Sequence, residues 1–546
     1  MPDVADDVIA RLRSEWSLDF ARVRRVLAAF AGGAPLSELV AASGLPRRDV
    51  ESIIADLDQR SLVADIRDGG TQVVIDEPEL EARMTELAAG LPPSRWRLDH
   101  VPATPETMAR RAQHLANEYE LGGASVLCLG DHDLTSLAVG SVVPDAELTV
   151  VDIDEPILDH VAASAERLGF PLTAAWADLR LTLPPSLTGT ADLVFTDPPY
   201  TTEGMCLFLM RALEALRPTG HERLVFCFGT GERHLVKALE VQALLGDLRL
   251  ALEAMLPGFN RYDGAEAIGS RSDLYICRPT KGAKVGEPAP SARSARSRRP
   301  TRAKAPAARI YTRGPAAEEA PAYSVPEQVR TAALAAAGEG PVLLVGDGLD
   351  DTAVELPEFF RRVAMWATAA RPGPFPFTGT PVINTSPSYG SAAIRTLLLA
   401  APDRAVLIGP RRDLVATGLL PTADQADDLI GRPLSVAYDL AAVPTGPGGD
   451  PAVVVATRNT RPAADTAEAV LRHILLRPGA KVVNAWRDGL LAVAREAGQP
   501  MTKNEARAHI AADSLPASLS RLRTWELPLA ALRALAAEIA RSTAVP

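Results

Sequence analysis

Three short loops in this chain carry residues of a type and spacing that can do chemistry. The most specific is Thr196-Asp197-Pro198-Pro199-Tyr200-Thr201. Two consecutive prolines hold the backbone rigid and remove two donors, so the neighbouring carbonyls stay free as acceptors. Asp197 together with a proline carbonyl can grip an amine by its hydrogens and aim the nitrogen lone pair at an electrophilic carbon. Tyr200 can lie against a flat base or a cation. A second loop, Gly130-Asp131-His132-Asp133, offers one glycine and two carboxylates. Carboxylates repel phosphate and suit a sulfonium, a primary amine or a protonated polyamine; one of Asp131 and Asp133 can also cap the helix that follows. The third loop is Asp152-Ile153-Asp154-Glu155. An acid at the end of a second strand takes the ribose hydroxyls of an adenosine, and the spacing of 22 residues from Gly130 to Asp152 fits the roughly 20 of such sites. Asp154 can share that task or cap a helix. Further on, Asp178 in Trp176-Ala177-Asp178 is a candidate acceptor for an adenine amino group or a surface loop residue.

These loops need a scaffold that brings them together. Residues 125–280 alternate strand and helix patterns, with strands over Ser125–Leu129, Glu147–Ile153, Leu172–Ala175, Ala191–Thr196 and Arg223–Phe228. The pattern predicts a largely parallel sheet with helices on both faces, and ligands of such sheets bind beyond the carboxyl ends of the strands. All three loops follow strands. Together they describe an in-line displacement in which an amine nitrogen takes a carbon group from a sulfonium donor while carboxylates hold the remaining positive charge.

Charge supports this direction. The chain has 546 residues with 57 Lys+Arg and 68 Asp+Glu, a balance of −11. Residues 101–280 hold 25 acidic and 13 basic residues, a net −12, so this block carries more than the whole negative balance and favours a cationic ligand. Nucleic acid is disfavoured as a partner. No apolar run approaches the roughly 18 residues of a membrane span, and no secretory leader is recognisable. Cys128, Cys206, Cys227 and Cys277 form no Cys-x-x-Cys pair and are read as reduced core thiols of a cytoplasmic protein. The histidines show no ligand-like spacing, so no metal is expected.

Four regions are expected. Residues 1–85 read as a winged-helix domain, with helices over Leu18–Phe30 and Leu36–Ala42, a third opened by Pro46, and a wing hairpin of Leu62–Ile66 and Thr71–Ile75. The third helix, Pro46–Arg60, nets −1, which suits dimerisation or covering of an active site better than tracking phosphates. Residues 86–280 are expected to form a Rossmann-like catalytic domain. Residues 281–308, with eight Lys/Arg against one Glu and a single large apolar residue, read as a basic disordered linker. Residues 309–546 read as a second α/β domain of unknown role. Two echoes there, Gly346-Asp347-Gly348-Leu349-Asp350 and Thr385-Ser386-Pro387-Ser388-Tyr389, suggest a degenerate repeat, although their separation of 40 residues disagrees with the 67 between Gly130 and Asp197. An unrelated module is the alternative.

The segments GDHDLTSLAV (130–139), VVDIDE (150–155), FTDPPYTTEG (195–204) and LFLMRALEALRP (207–218) resemble the branched-chain polyamine synthases, the bis(aminopropyl)spermidine synthase family. The flanks Asp99-His100, Thr104-Pro105-Glu106-Thr107 and Ser270–Tyr275 are similar too, and the resemblance covers roughly residues 1–280. It implies decarboxylated S-adenosylmethionine as donor, a spermidine-type polyamine as acceptor and methylthioadenosine as product. Gly130, Asp131 and Asp133 match the family's Gly-Asp-Asp-Asp loop, and Asp197 to Tyr200 match its Asp-Pro-Pro-Tyr loop. His132 departs from that pattern, standing where the family has its middle Asp. A neutral His132 removes one negative charge; it can serve as a general base or orient Asp131. The Asp-Pro-Pro-Tyr loop also occurs in amino-methylating enzymes, so an S-adenosylmethionine-dependent N-methyltransferase acting on an amine or nucleobase is the alternative.

Overall fold

The computed structural model describes residues 2–58, 77–95, 98–229, 235–283, 325–350, 352–369, 376–385, 389–420, 432–445, 450–510 and 517–543. The chain divides into two compact units. The first comprises Met1–Val151, His160–Thr173 and Leu187–Lys304; the second comprises Asp152–Asp159, Ala174–Ser186 and Ala305–Pro546.

The fold is mixed α/β. Seven strands, β1 (Ser125–Leu129), β2 (Glu147–Asp152), β3 (Leu172–Trp176), β4 (Leu193–Thr196), β5 (Arg223–Phe228), β6 (Leu250–Arg261) and β7 (Arg271–Pro279), form one sheet in the order β3-β2-β1-β4-β5-β7-β6. The central strands are buried along almost their whole length, which is why they read as continuous apolar runs rather than alternating ones. β1 lies parallel to both β2 and β4, so the strand order reverses there, and ligands of such sheets bind beyond the carboxyl ends at that point. Register decides which loops start there. Leu129 pairs with Thr196, and the Thr196 hydroxyl donates to the Leu129 carbonyl at 2.8 Å, so the loops after β1 and β4 start level.

The antiparallel pair β6/β7 was not foreseen. Pro257 and Gly258 interrupt the β6 sequence as turn residues would, and its outer face is largely exposed. Its register slips between Leu252 and Ala254 and again between Leu256 and Asn260. Bulges bend a strand and re-aim its side chains. Here the bend brings the Arg261 backbone N–H to the Thr107 hydroxyl at 2.9 Å and pairs Tyr262 with Ala103.

Before the sheet, helices over Pro2–Trp16, Phe20–Ala31, Leu36–Ser43 and Arg47–Asp58 share a core of Leu12, Phe20, Val23, Val26, Leu39 and Ile53. Gly44, at φ +66°, ends the third of these in the left-handed conformation that glycine tolerates best. Pro46 does not open the next helix but precedes it, its carbonyl accepting from the Asp49 and Val50 amides. Fully buried Arg223 joins this bundle to the sheet by pairing with Asp19 at 2.7 Å and Glu253 at 2.5 Å. The wing hairpin lies outside the described residues, as does the linker from residue 284 onward.

The second unit contains β8 (Val342–Val345), β9 (Thr380–Asn384), β10 (Arg404–Gly409), β11 (Tyr438–Val443) and β12 (Ala452–Arg458), in the order β11-β12-β10-β9-β8. β8, β9 and β10 run parallel; β12 is antiparallel to β10 and β11 to β12. Among the described residues, no helix is long and apolar enough to cross a membrane.

Candidate active site

The helix Pro105–Glu118 begins at Thr104, whose side chain accepts from the Thr107 amide. Its inward face carries Met108, Arg111, Ala112 and Leu115, the i, i+3, i+4, i+7 positions of an apolar stripe. Arg111 is therefore a guanidinium in a core position, fully buried. Burial by itself would lower its pKa, but Cys227, Asp133 and Asp197 around it raise it well above the usual value. One nitrogen bonds Asp133 and lies 3.1 Å from the Thr135 hydroxyl; another donates to Asp197 at 2.7 Å; Nε donates to Asn260 Oδ1 at 2.8 Å. The guanidinium also sits 5.1 Å from the centre of the Phe195 ring.

Asp197 is the focus of the first unit's polar network. Besides Arg111, it accepts from the Tyr200 hydroxyl at 2.9 Å and the Tyr262 hydroxyl at 2.7 Å. Tyr262 in turn lies 2.7 Å from the Ser272 hydroxyl and 2.9 Å from that of Tyr200. Burial pushes the Asp197 pKa up; Arg111 opposes that, while the nearby Asp133 charge adds to it. Pro198 and Pro199 are buried, and the Pro199 carbonyl accepts from the Thr201 amide at 2.9 Å. Thr201 then caps the helix Thr202–Ala215 through the Gly204 amide, so the loop after β4 is pinned at both ends.

The first loop divides its labour. Gly130 has φ +72° and donates its N–H to Val151 O at 2.8 Å; an added Cβ would meet only Phe208 at 3.8 Å, so conformation rather than space demands glycine. Asp131 accepts from the Ser136 amide at 3.2 Å and from the Ser136 hydroxyl, bonding into the first turn of the helix Thr135–Val142. Asp133 faces Arg111. His132 is buried and stacks on His100 with ring centres 4.3 Å apart. Burial lowers its pKa, with Asp133 pulling the other way; burial and the neighbouring His132 depress His100 to about 3. Both rings are neutral near pH 7.

The remaining sequence candidates belong to the second unit. Asp152 ends β2, and its carboxylate accepts from the Asp154 amide at 2.8 Å. Asp154 stands before the helix Glu155–Leu168, its carbonyl accepting from Ile157 and Leu158. Asp178 is buried and holds Arg180 through three bonds, to the amide at 3.0 Å, Nε at 2.9 Å and Nη2 at 2.6 Å. Its carboxylate is thus fixed rather than a loose surface group.

Arg111, Tyr262, Asn260 and Ser272 were missed. For Arg111 a signal existed: a lone arginine on the apolar face of an otherwise amphipathic helix needs buried acids to answer it. Tyr262 gave none, because only the β6 bulge carries it into place. Among the described residues no group of three or more His, Cys, Asp or Glu is arranged to hold a metal ion.

Residues 79–277 match the family model of the branched-chain polyamine synthase A C-terminal domain. An uncharacterised protein of Methanocaldococcus jannaschii is 32% identical over 211 residues, 38% of this chain and 52% of that protein. The N(4)-bis(aminopropyl)spermidine synthase of the same organism is 30% identical over 188 residues, 34% of this chain and 53% of that enzyme. The crystal structure of the branched-chain polyamine synthase from Thermus thermophilus, in complex with N4-aminopropylspermidine and 5′-methylthioadenosine, is 23% identical, with a TM-score of 0.35 over 53% of this chain and 95% of that one. The matches span about half the length of the curated relatives.

Proposed function

Because residues 79–277 belong to the branched-chain polyamine synthase family, we propose that this chain transfers an aminopropyl group from decarboxylated S-adenosylmethionine to an amine nitrogen of a spermidine-type polyamine, releasing 5′-methylthioadenosine. The observation that carries this reading is the half-buried Asp197, which receives Arg111, Tyr200 and Tyr262 at the carboxyl end of β4, level with the acidic loop after β1.

The amine lone pair attacks the propyl carbon bonded to the sulfonium. The new C–N bond forms as the C–S bond breaks, and the electron pair returns to sulfur as a neutral thioether. Positive charge thus moves from sulfur to nitrogen, and the nitrogen then sheds a proton. Asp197 is the group for both events. Its fixed donors hold one carboxylate orientation, and its raised affinity for protons suits it to accept one. Arg111 keeps Asp133 and Asp197 aligned in spite of their burial. Asp131, Asp133 and Asp197 against Arg111 leave a formal charge of −2, with neutral His132 adding nothing, and this excess attracts a cationic acceptor. Tyr200 lines the acceptor's path. Asp152 and Asp154 take the donor's ribose hydroxyls, and Asp178, held by Arg180, takes its adenine amino group.

Incubating the full chain with each donor and a mixed polyamine pool tests this. Methylthioadenosine and an aminopropylated amine from the decarboxylated donor are expected by mass spectrometry. S-adenosylhomocysteine and a methylated product from the ordinary donor would replace this reading with N-methyl transfer.

A further inference from the structure

The second sheet repeats part of the first. Starting from β8, the neighbours run β8-β9-β10-β12-β11, with three parallel strands followed by two antiparallel ones; β1-β4-β5-β7-β6 has the same neighbours, directions and chain order. Among the described residues it has no counterparts of β2 and β3, in keeping with the shorter separation between the two echo loops. Gly346 follows β8 with φ +96°, as Gly130 follows β1 with φ +72°. Tyr389 follows β9 by five residues as Tyr200 follows β4 by four, and the intervening sequence, Thr385-Ser386-Pro387-Ser388, carries no carboxylate. The reaction carboxylate has no equivalent.

Tyr389 and the helix Ala393–Ala400 are spent differently. Within the second unit they meet the segments that follow β2 and β3. The Tyr389 ring centre lies 4.5 Å from the guanidinium of Arg180, the residue that holds Asp178. Arg395, 2% exposed, pairs with Glu155 at 2.5 Å, stands 4.4 Å from the Trp176 ring centre and donates to Leu527 O at 2.9 Å. Trp176 donates its indole N–H to Ile153 O at 3.2 Å, which ties the two segments to each other. Glu155 also accepts from the Leu529 amide at 2.8 Å, and Glu526 from the Ser186 amide at 3.3 Å.

We infer that the sheet β8–β12 is a second, catalytically silent copy of the catalytic sheet, and that Tyr389 and the helix Ala393–Ala400 clamp the donor-binding segments 152–155 and 176–180, with Arg395 and Tyr389 as positioning residues. The inference rests on the donor roles proposed above for Asp152, Asp154 and Asp178. A side chain that sets a binding loop through one intervening residue acts on ligand affinity by fixing geometry, and small misplacements cost large factors.

The test uses the full chain, with 5′-methylthioadenosine as probe in titration calorimetry and separate KM values for donor and acceptor. Tyr389→Ala and Arg395→Gln are expected to weaken probe binding and raise the donor KM roughly tenfold, with the acceptor KM within about twofold. Tyr389→Phe, which keeps the ring over Arg180, is expected to restore binding. If Arg395→Gln does not fold, the Tyr389 pair decides. Probe binding that survives Tyr389→Ala and Arg395→Gln, or an acceptor KM that rises as far as the donor KM, overturns the clamp while leaving the proposed reaction intact. A wild-type chain that binds no methylthioadenosine overturns the donor reading, and the clamp with it.

Discussion

Arg111 Nη2 lies 2.7 Å from Asp197 Oδ2, and the same guanidinium bonds Asp133, so one fully buried cation bridges the loops after β1 and β4. An unpaired carboxylate in such a place would take up a proton or draw in water. Arg111 lets two acids persist side by side, and the predictions below turn on that balance.

Removing the acid itself is the most direct test. Asp197→Asn keeps the shape of the loop but loses the proton acceptor. Turnover is expected to fall at least about a hundredfold with methylthioadenosine affinity unchanged, as read by initial rates beside calorimetry. A loss confined to donor affinity would contradict the role given to Asp197.

Tyr262→Phe deletes one hydroxyl that donates to Asp197 at 2.7 Å. That bond holds the Asp197 pKa down against burial, so its loss lets the pKa rise further. The acid limb of the kcat/KM profile is then expected to move to higher pH, while the plateau falls about tenfold. A lower plateau with an unmoved limb would mean that Tyr262 acts on something other than this carboxylate.

Arg111→Met leaves buried Asp133 and half-buried Asp197 without their cation. Breaking a buried pair in this way costs roughly 3–5 kcal/mol, which denaturant unfolding would show. Arg111→Lys keeps the charge but not the planar fork that meets Asp133, Asp197 and Asn260 together. It is expected to recover most of the stability and little of the turnover.

His100 and His132 predict an acid-sensitive site. Both folded pKa values lie below the ordinary 6.5, His100 at about 3. Above pH 6.5 the rings are neutral folded or unfolded. As pH falls below 6.5 the unfolded chain binds protons that the folded site refuses, so stability is lost until the folded pKa is reached. His100→Phe is expected to flatten the stability profile between about pH 6.5 and 3, by at most about 1.4 kcal/mol per pH unit relative to wild type. Parallel profiles for the two chains would show that His100 is protonated in the fold.

Much of the scaffold was legible because its signals are local. The apolar runs of β1, β4 and β5 and the proline-rich loop after β4 are properties of neighbouring residues, and Asp131, Asp133 and Asp197 are acids at strand ends whatever surrounds them. The β6/β7 pair was not legible. Its first strand contains a proline, a glycine and two register slips, and only pairing with β7 makes it a strand. The basic segment from residue 284 onward and the wing lie outside the described residues.

The order of residues along the chain was enough to set which loops bear acids and that a parallel sheet would present them at one end. It could not set which acids are answered. Arg111 meets Asp133 across 22 residues and Asp197 across 86, and Tyr262 reaches Asp197 across 65. Such pairings exist only once helix, sheet and bulge have packed. The same holds for Arg395 and Glu155, 240 residues apart by number. Acidity belongs to a side chain, but whether that acid is charged, shared or held still is decided by what burial places against it.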